Sequence, residues 1–198
     1  MINAFLSASV PLPERDKRFM ESADVVAIRE AIKGLVSVVI PKGRIVYGGH
    51  PAITPLMALL LRDMGKKLRR RVVLYQSSFF KERFVSENEE FLDLRLIPAV
   101  GNSQSDSLTE MRRRMLTDTN FNVGIFVGGM EGVLEEFKQF RKIHPNAAIW
   151  PIASTGAAAK EIFEKLGSPK PEIFLKEMTY SSLFRGLTKN MEKVVTRD

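Results

Sequence analysis

Short apolar runs rich in β-branched and aromatic residues alternate along the chain with longer stretches whose apolar positions recur every three to four residues. This alternation predicts strands at about 3–8, 44–48, 71–77, 92–99, 122–127 and 147–153. Helices are expected near 24–39, 54–64, 80–90, 106–118, 132–142 and 156–166, with a terminal helix near 181–195. Thr54 before Pro55 reads as an N-cap followed by proline at the first helical position. Gly65 and Gly167 each suit a helix stop in the left-handed conformation. Regular alternation of strand and helix, without linker or repeat, implies one α/β domain over residues 1–198. Its core would be a mostly parallel sheet of about six strands with helices on both faces. Ligands in such folds sit at the carboxyl ends of the strands.

Three loops at that edge share a design. "YGGHPAITP" follows the second strand, "VGGMEGV" the fifth and "ASTGAAAK" the sixth. Small residues let backbone N–H groups approach a ligand, and a helix N-terminus behind them favours an anion. The candidate contacts are Gly48, Gly49 and His50 in the first loop. In the second they are Gly128, Gly129, Met130, Glu131 and Gly132, and in the third Ser154, Thr155 and Gly156. Ser7 and Ser9, after the first strand, lie at the same edge, and Arg15 is placed to reach inward from there.

A helical wheel selects one acid and one base. With Val133 at zero, Phe137 and Phe140 fall within about 40° of it, and Glu136 lies at about 300°, on the margin of the apolar face. Glu135, at about 200°, points to water. With Leu108 at zero, Arg112 falls at about 40°, inside the stripe of Met111, Met115 and Leu116, whereas Arg113 and Arg114 project outward. An arginine on an apolar stripe requires an anionic partner or an opening to a cleft. Pairing of Arg112 with Glu136 is one way to meet that demand.

Composition narrows the classes. The 198 residues include no cysteine, which excludes disulfides, thiolate metal sites and a cysteine nucleophile. Two distant histidines, His50 and His144, give no zinc spacing, so neither a metal nor a cofactor is expected. His50 suits either ligand contact or a turn, and His144 suits a helix end or solvent. The N-terminal segment has no signal-peptide pattern and no apolar run is long enough to span a membrane, which fits a cytoplasmic protein. A net charge of +7 favours anionic partners. The run "KKLRRR" from Lys66 to Arg71 offers a nucleic-acid patch, but it lies at the amino end of a strand, where its cations suit the end of a helix.

The block "MRRRM … NVGIFVGGMEGVLEEF" resembles the SLOG superfamily, which includes the LONELY GUY, so-called lysine decarboxylase and DprA-type proteins. LONELY GUY enzymes carry an arginine-bearing helix and then a strand running into PGGxGTxxE. Arg112 stands sixteen residues before Gly128; Gly128, Gly129 and Gly132 match the glycines, and Glu136 the glutamate. Val127 replaces the proline, Val133 the threonine, and both Met130 and Glu131 separate the last two glycines. The whole set of loops looks closer to the nucleotide-sensing branch found in bacterial defence neighbourhoods. The resemblance implies a Rossmann-like fold, a homodimer, and a nucleotide or ADP-ribose-like ligand that is sensed. Hydrolysis of a nucleoside 5′-monophosphate at its N-glycosidic bond, with Arg112 and Glu136 catalytic, is the alternative it implies. Nucleic-acid binding of the DprA type is a third.

Overall fold

The computed structural model describes residues 1–14, 16–167 and 171–195, the last four of these by backbone alone. Six strands form one sheet: β1 (Ile2–Ser9), β2 (Gly43–Tyr47), β3 (Val72–Ser77), β4 (Leu94–Ile97), β5 (Val123–Gly128) and β6 (Ala148–Ile152). Every pairing is parallel, and the order is β4-β3-β2-β1-β5-β6. The chain therefore winds outward from β1 through β4, crosses back, and resumes beside β1 with β5. That reversal makes the β1/β5 junction the switch point, where the carboxyl ends of adjacent strands leave a crevice.

Helices cover both faces. On one side lie α2 (Val25–Val39), α3 (Thr54–Arg62), α4 (Lys66–Arg69), α8 (Ile173–Lys176) and α9 (Tyr180–Val195), over Ile2, Ala4, Leu6, Ile45 and Ile125. Opposite them are α1 (Lys17–Ser22), α5 (Gln104–Thr117), α6 (Glu131–Ile143) and α7 (Ala157–Glu164), over Phe5, Val46, Val73 and Phe126. The strand period of two sends Leu6 to the first layer and Phe5 with Ser7 toward the second. The Asp24 carboxylate caps α2 by accepting from Ala27 N–H at 2.8 Å, and the Ser103 hydroxyl caps α5 by accepting from Asp106 N–H at 3.2 Å.

Several local expectations are corrected. The helix expected near 80–90 is replaced by two 3-10 turns, Ser78–Arg83 and Ser86–Glu90, separated by Phe84 and Val85 in extended conformation. Thr54 is not an N-cap: it lies inside α3, and its hydroxyl accepts from His50 N–H at 3.2 Å, tying down the loop before the helix. Gly65 has φ −60° and ψ 151° and opens α4 rather than closing α3 in a left-handed turn. Gly167 likewise is not among the positive-φ glycines. Three short helices, α1, α4 and α8, went unanticipated because four to six residues carry too little periodicity.

Aromatic packing fixes α6 against the sheet. Phe5 and Phe140 stack at 5.3 Å with planes 12° apart, and Phe126 meets Phe137 edge-on at 5.3 Å. Gly124 in β5 makes room for this, since a Cβ there would come within 2.7 Å of the Phe140 ring. Gly124→Ala is expected to lower stability by about 1–3 kcal/mol through overpacking. Urea unfolding measures it, and a loss below about 0.5 kcal/mol, ordinary for a surface change, would contradict this packing.

Candidate functional site

At the β1/β5 junction a cavity of about 200 Å³ opens between strand ends, the Gly48–His50 loop and the flanks of α5 and α6. Its wall includes Ser9, Gly48, Gly49, His50, Arg112, Met130, Gly132 and Glu136. These come from four separated segments, brought together because β1, β2 and β5 are adjacent in the sheet. Leu6, Ala8, Tyr47, Leu108, Met111 and Val133 complete it. Their sequence signal was that of core residues, and nothing in the pattern marked them as facing a cavity.

Arg112 and Glu136 meet across the cavity wall. Arg112 Nε donates to Glu136 Oε1 at 3.2 Å, and the Ser7 hydroxyl donates to Glu136 Oε2 at 2.6 Å. Their side chains are only 17% and 14% exposed. The terminal guanidinium nitrogens of Arg112 donate no hydrogen bond among the described residues, so donors remain beside the cavity. Gly132 permits this approach: a Cβ on it would stand 3.2 Å from Arg112 Nη2. The guanidinium thus lies over the first turn of α6, whose N-cap, Met130, supplies no side-chain hydrogen bond. An uncapped helix start beside a cation is a place for an anion.

The turn into α6 depends on backbone that side chains disfavour. Gly128 and Gly129 have φ of 55° and 93°. Gly129 N–H donates to the Ser9 carbonyl at 2.8 Å, so the loop folds back onto the end of β1. Gly128 N–H donates to Thr155 Oγ1 at 2.8 Å, and that hydroxyl donates to the Ile152 carbonyl at 2.5 Å. Neither glycine borders the cavity itself; both aim the helix that does. Glu131 is exposed at the first turn.

The third loop lies elsewhere. Thr155 is fully buried and spent on the β5 and β6 ends, and Ser154 pairs with Tyr180 Oη at 3.1 Å and donates to the Glu177 carbonyl at 3.2 Å. Gly156 packs against the Ser22 carbonyl, and the Ser22 hydroxyl accepts from Ala157 N–H at 3.0 Å. Ser154, Thr155 and Gly156 therefore do not line the cavity. Arg15 lies outside the described residues.

Neighbouring groups sort the same way. His50 lines the cavity and also accepts from Ala52 N–H at its Nδ1, 3.2 Å away, so turn and wall are served together. His144 is half-buried, and the helix end it serves is not its own. Its Nε2–H donates to the Leu116 carbonyl at 2.7 Å, satisfying the last turn of α5, while its ring packs on Phe121 and Phe140. Burial pushes the Tyr47 phenol well above its ordinary range, against a smaller opposing effect of the Thr54 hydroxyl, so it stays protonated. In the basic run, Arg69 donates to the Glu90 carbonyl at 2.7 Å and Arg71 to the Ile40 and Pro41 carbonyls at 3.0 and 2.9 Å. Those cations serve the ends of α2 and of the second 3-10 turn, opposite the cavity.

Arg113 and Arg114 turn outward onto Glu110, at 2.7 and 3.1 Å. The Arg113 hydrogen bond, reinforced by Arg114, holds the Glu110 carboxyl down at about 2. A depressed value means that this contact helps the fold above the ordinary carboxyl range and is lost as pH falls through about 2. Carboxyl NMR of Glu110 should titrate near that value and return toward the ordinary range in Arg113→Ala. An ordinary midpoint in the unaltered protein would contradict the pairing. Thr155→Val strands the buried Gly128 N–H and is expected to cost about 1–3 kcal/mol in urea unfolding, where Thr155→Ser is expected to be milder. A neutral Thr155→Val would contradict the clamp.

Among known proteins, the model of the SLOG cluster3 family matches residues 18–188, which supports a nucleotide-related, Rossmann-like module. No curated protein and no solved structure matches the chain.

Proposed function

The chain belongs to the SLOG cluster3 family, and from that premise we propose that it binds a nucleotide-derived ligand at the carboxyl ends of its strands, as a sensor or signalling module. The ligand is a nucleoside phosphate or an ADP-ribose-like molecule. The observation that carries this reading is the Arg112–Glu136–Ser7 chain beside the uncapped start of α6. Phosphate oxygens take charge-assisted hydrogen bonds from the terminal nitrogens of Arg112 and further bonds from the first-turn amides. Glu136, already bonded to both partners, fixes the guanidinium before the ligand arrives, which lowers the ordering cost of binding. Its carboxylate also offers lone pairs to a ribose hydroxyl. Ser9, the Gly48–His50 loop and Met130 complete the proposed contact surface.

A second reading, phosphoribohydrolase, rests on the position of the Glu136 carboxylate in the cavity wall. In that reaction water adds to the anomeric carbon, the N-glycosidic bond breaks, and the base leaves with a proton. A carboxylate beside the sugar stabilises the positive charge that develops there. Val133 occupies the position where the resembling enzymes carry threonine, and it brings no hydroxyl to the phosphate. That favours sensing.

Calorimetry against nucleoside mono- and diphosphates and ADP-ribose is the test. At least one is expected to bind with a dissociation constant tighter than millimolar. Arg112→Ala is expected to weaken it by more than about tenfold, the worth of a charged hydrogen bond, while Arg113→Ala changes it little. Absence of any such binder, or equal effects of the two substitutions, would overturn the reading. Incubation with AMP separates the alternatives: free adenine indicates the hydrolase, and AMP bound but intact indicates the sensor.

A further inference from the structure

A second cavity, of about 330 Å³, opens on the other side of the Gly48–His50 loop, between that loop and the two 3-10 turns after β3. The two cavities share the loop together with Leu108 and Met111. Asn88 lines the second one and is only 3% exposed. Its carboxamide nitrogen and oxygen are both buried, and neither has a hydrogen-bond partner among the described residues. Its backbone, by contrast, is satisfied: Asn88 N–H donates to the Val85 carbonyl and its own carbonyl accepts from Phe91 N–H, at 3.1 and 3.3 Å. A buried amide with no partner raises the free energy of the folded chain, and a ligand carrying complementary groups recovers that cost.

The other groups around Asn88 narrow the chemistry. Phe80 and Phe84 present half-buried rings, Gln76 adds another carboxamide, Arg83 lies exposed at the rim, and no carboxylate lines this cavity among the described residues. Aromatic faces with adjacent amide donors and acceptors suit a flat, uncharged heterocycle. A carboxamide offers N–H and C=O side by side, which match an acceptor beside a donor. Adenine presents that pair along its N7 and 6-amino edge, whereas a 6-oxo purine presents two acceptors there and leaves the amide oxygen unmatched.

We propose that the second cavity is the base subsite of this protein, that Asn88 reads the 6-amino purine edge, and that the ligand is an adenine nucleotide. This rests on the nucleotide reading of the first cavity, which would hold phosphate and ribose while the base crosses the Gly48–His50 loop. Specificity and anchoring are thus divided: Arg112 holds any phosphorylated ribose, and Asn88 selects the base.

Calorimetry with AMP, inosine 5′-monophosphate and ribose 5-phosphate tests the division. The unaltered protein is expected to bind AMP at least about tenfold more tightly than the 6-oxo analogue, the selectivity of one paired edge, and ribose 5-phosphate more weakly than AMP. Asn88→Leu is expected to bring AMP within about twofold of the 6-oxo analogue, leave ribose 5-phosphate unchanged, and keep or raise the thermal midpoint, because an unpaired amide is removed. AMP preference that survives Asn88→Leu would overturn this proposal while leaving the phosphate site standing. So would equal binding of the two purine nucleotides by the unaltered protein, a comparison that needs no variant. Failure of all three probes to bind would instead bring down the nucleotide reading and this one with it.

Discussion

Arg112 and Glu136 are charged groups carried on the apolar flanks of neighbouring helices, and each is mostly withdrawn from water. Neither tolerates that position alone, because an uncompensated buried charge costs several kcal/mol, on the order of 3–5 when one partner is removed. Their contact, extended by the Ser7 hydroxyl to β1, obliges α5, α6 and the central strand to converge at one edge of the sheet. A buried ion pair is a poor device for stability, since apolar residues of similar volume serve as well or better. Its position beside a cavity, with guanidinium donors left over, suits recognition better than cohesion.

The strand order supplies the place for that contact. Because β5 returns to lie beside β1, the loops after β1, β2 and β5 face a common crevice. The loop after β6 comes from the neighbouring strand but is consumed in holding the others. Thr155 receives the Gly128 amide, Asp24 N–H donates to the Thr155 carbonyl, and Ser22 caps α7. Two loops with similar small-residue composition therefore do different work, one bounding the cavity and one clamping the turn that leads into it.

Much of this was legible in the sequence, and the reasons are physical. The six strands and the major helices follow from periods of two and 3.6 over segments long enough to show them. The wheel separated Arg112 from Arg113 and Arg114, and Glu136 from Glu135, because an apolar stripe leaves few angles for the exceptions. The segment from Phe80 to Phe91 misled because Phe80, Phe84, Asn88 and Phe91 recur at helical spacing. Extended backbone at Phe84 and Val85 interrupts it. Asn88 thereby went unnoticed, as polar side chains at the ends of helical patterns ordinarily face water. Thr155 was equally invisible as a clamp, since its hydroxyl partner lies 27 residues away and local sequence cannot distinguish that from a cap. His144 shows the same limit: its partner is the end of a different helix.

A crystal structure grown with a nucleoside 5′-phosphate tests the central claim most directly. Phosphate density between the Arg112 guanidinium and the first-turn amides of α6, with the Arg112–Glu136 contact retained or shared with the ligand, is the predicted result. Phosphate bound at the Lys66–Arg71 end of the sheet, or a cavity that stays empty in crystals whose protein binds the nucleotide in solution, would contradict it.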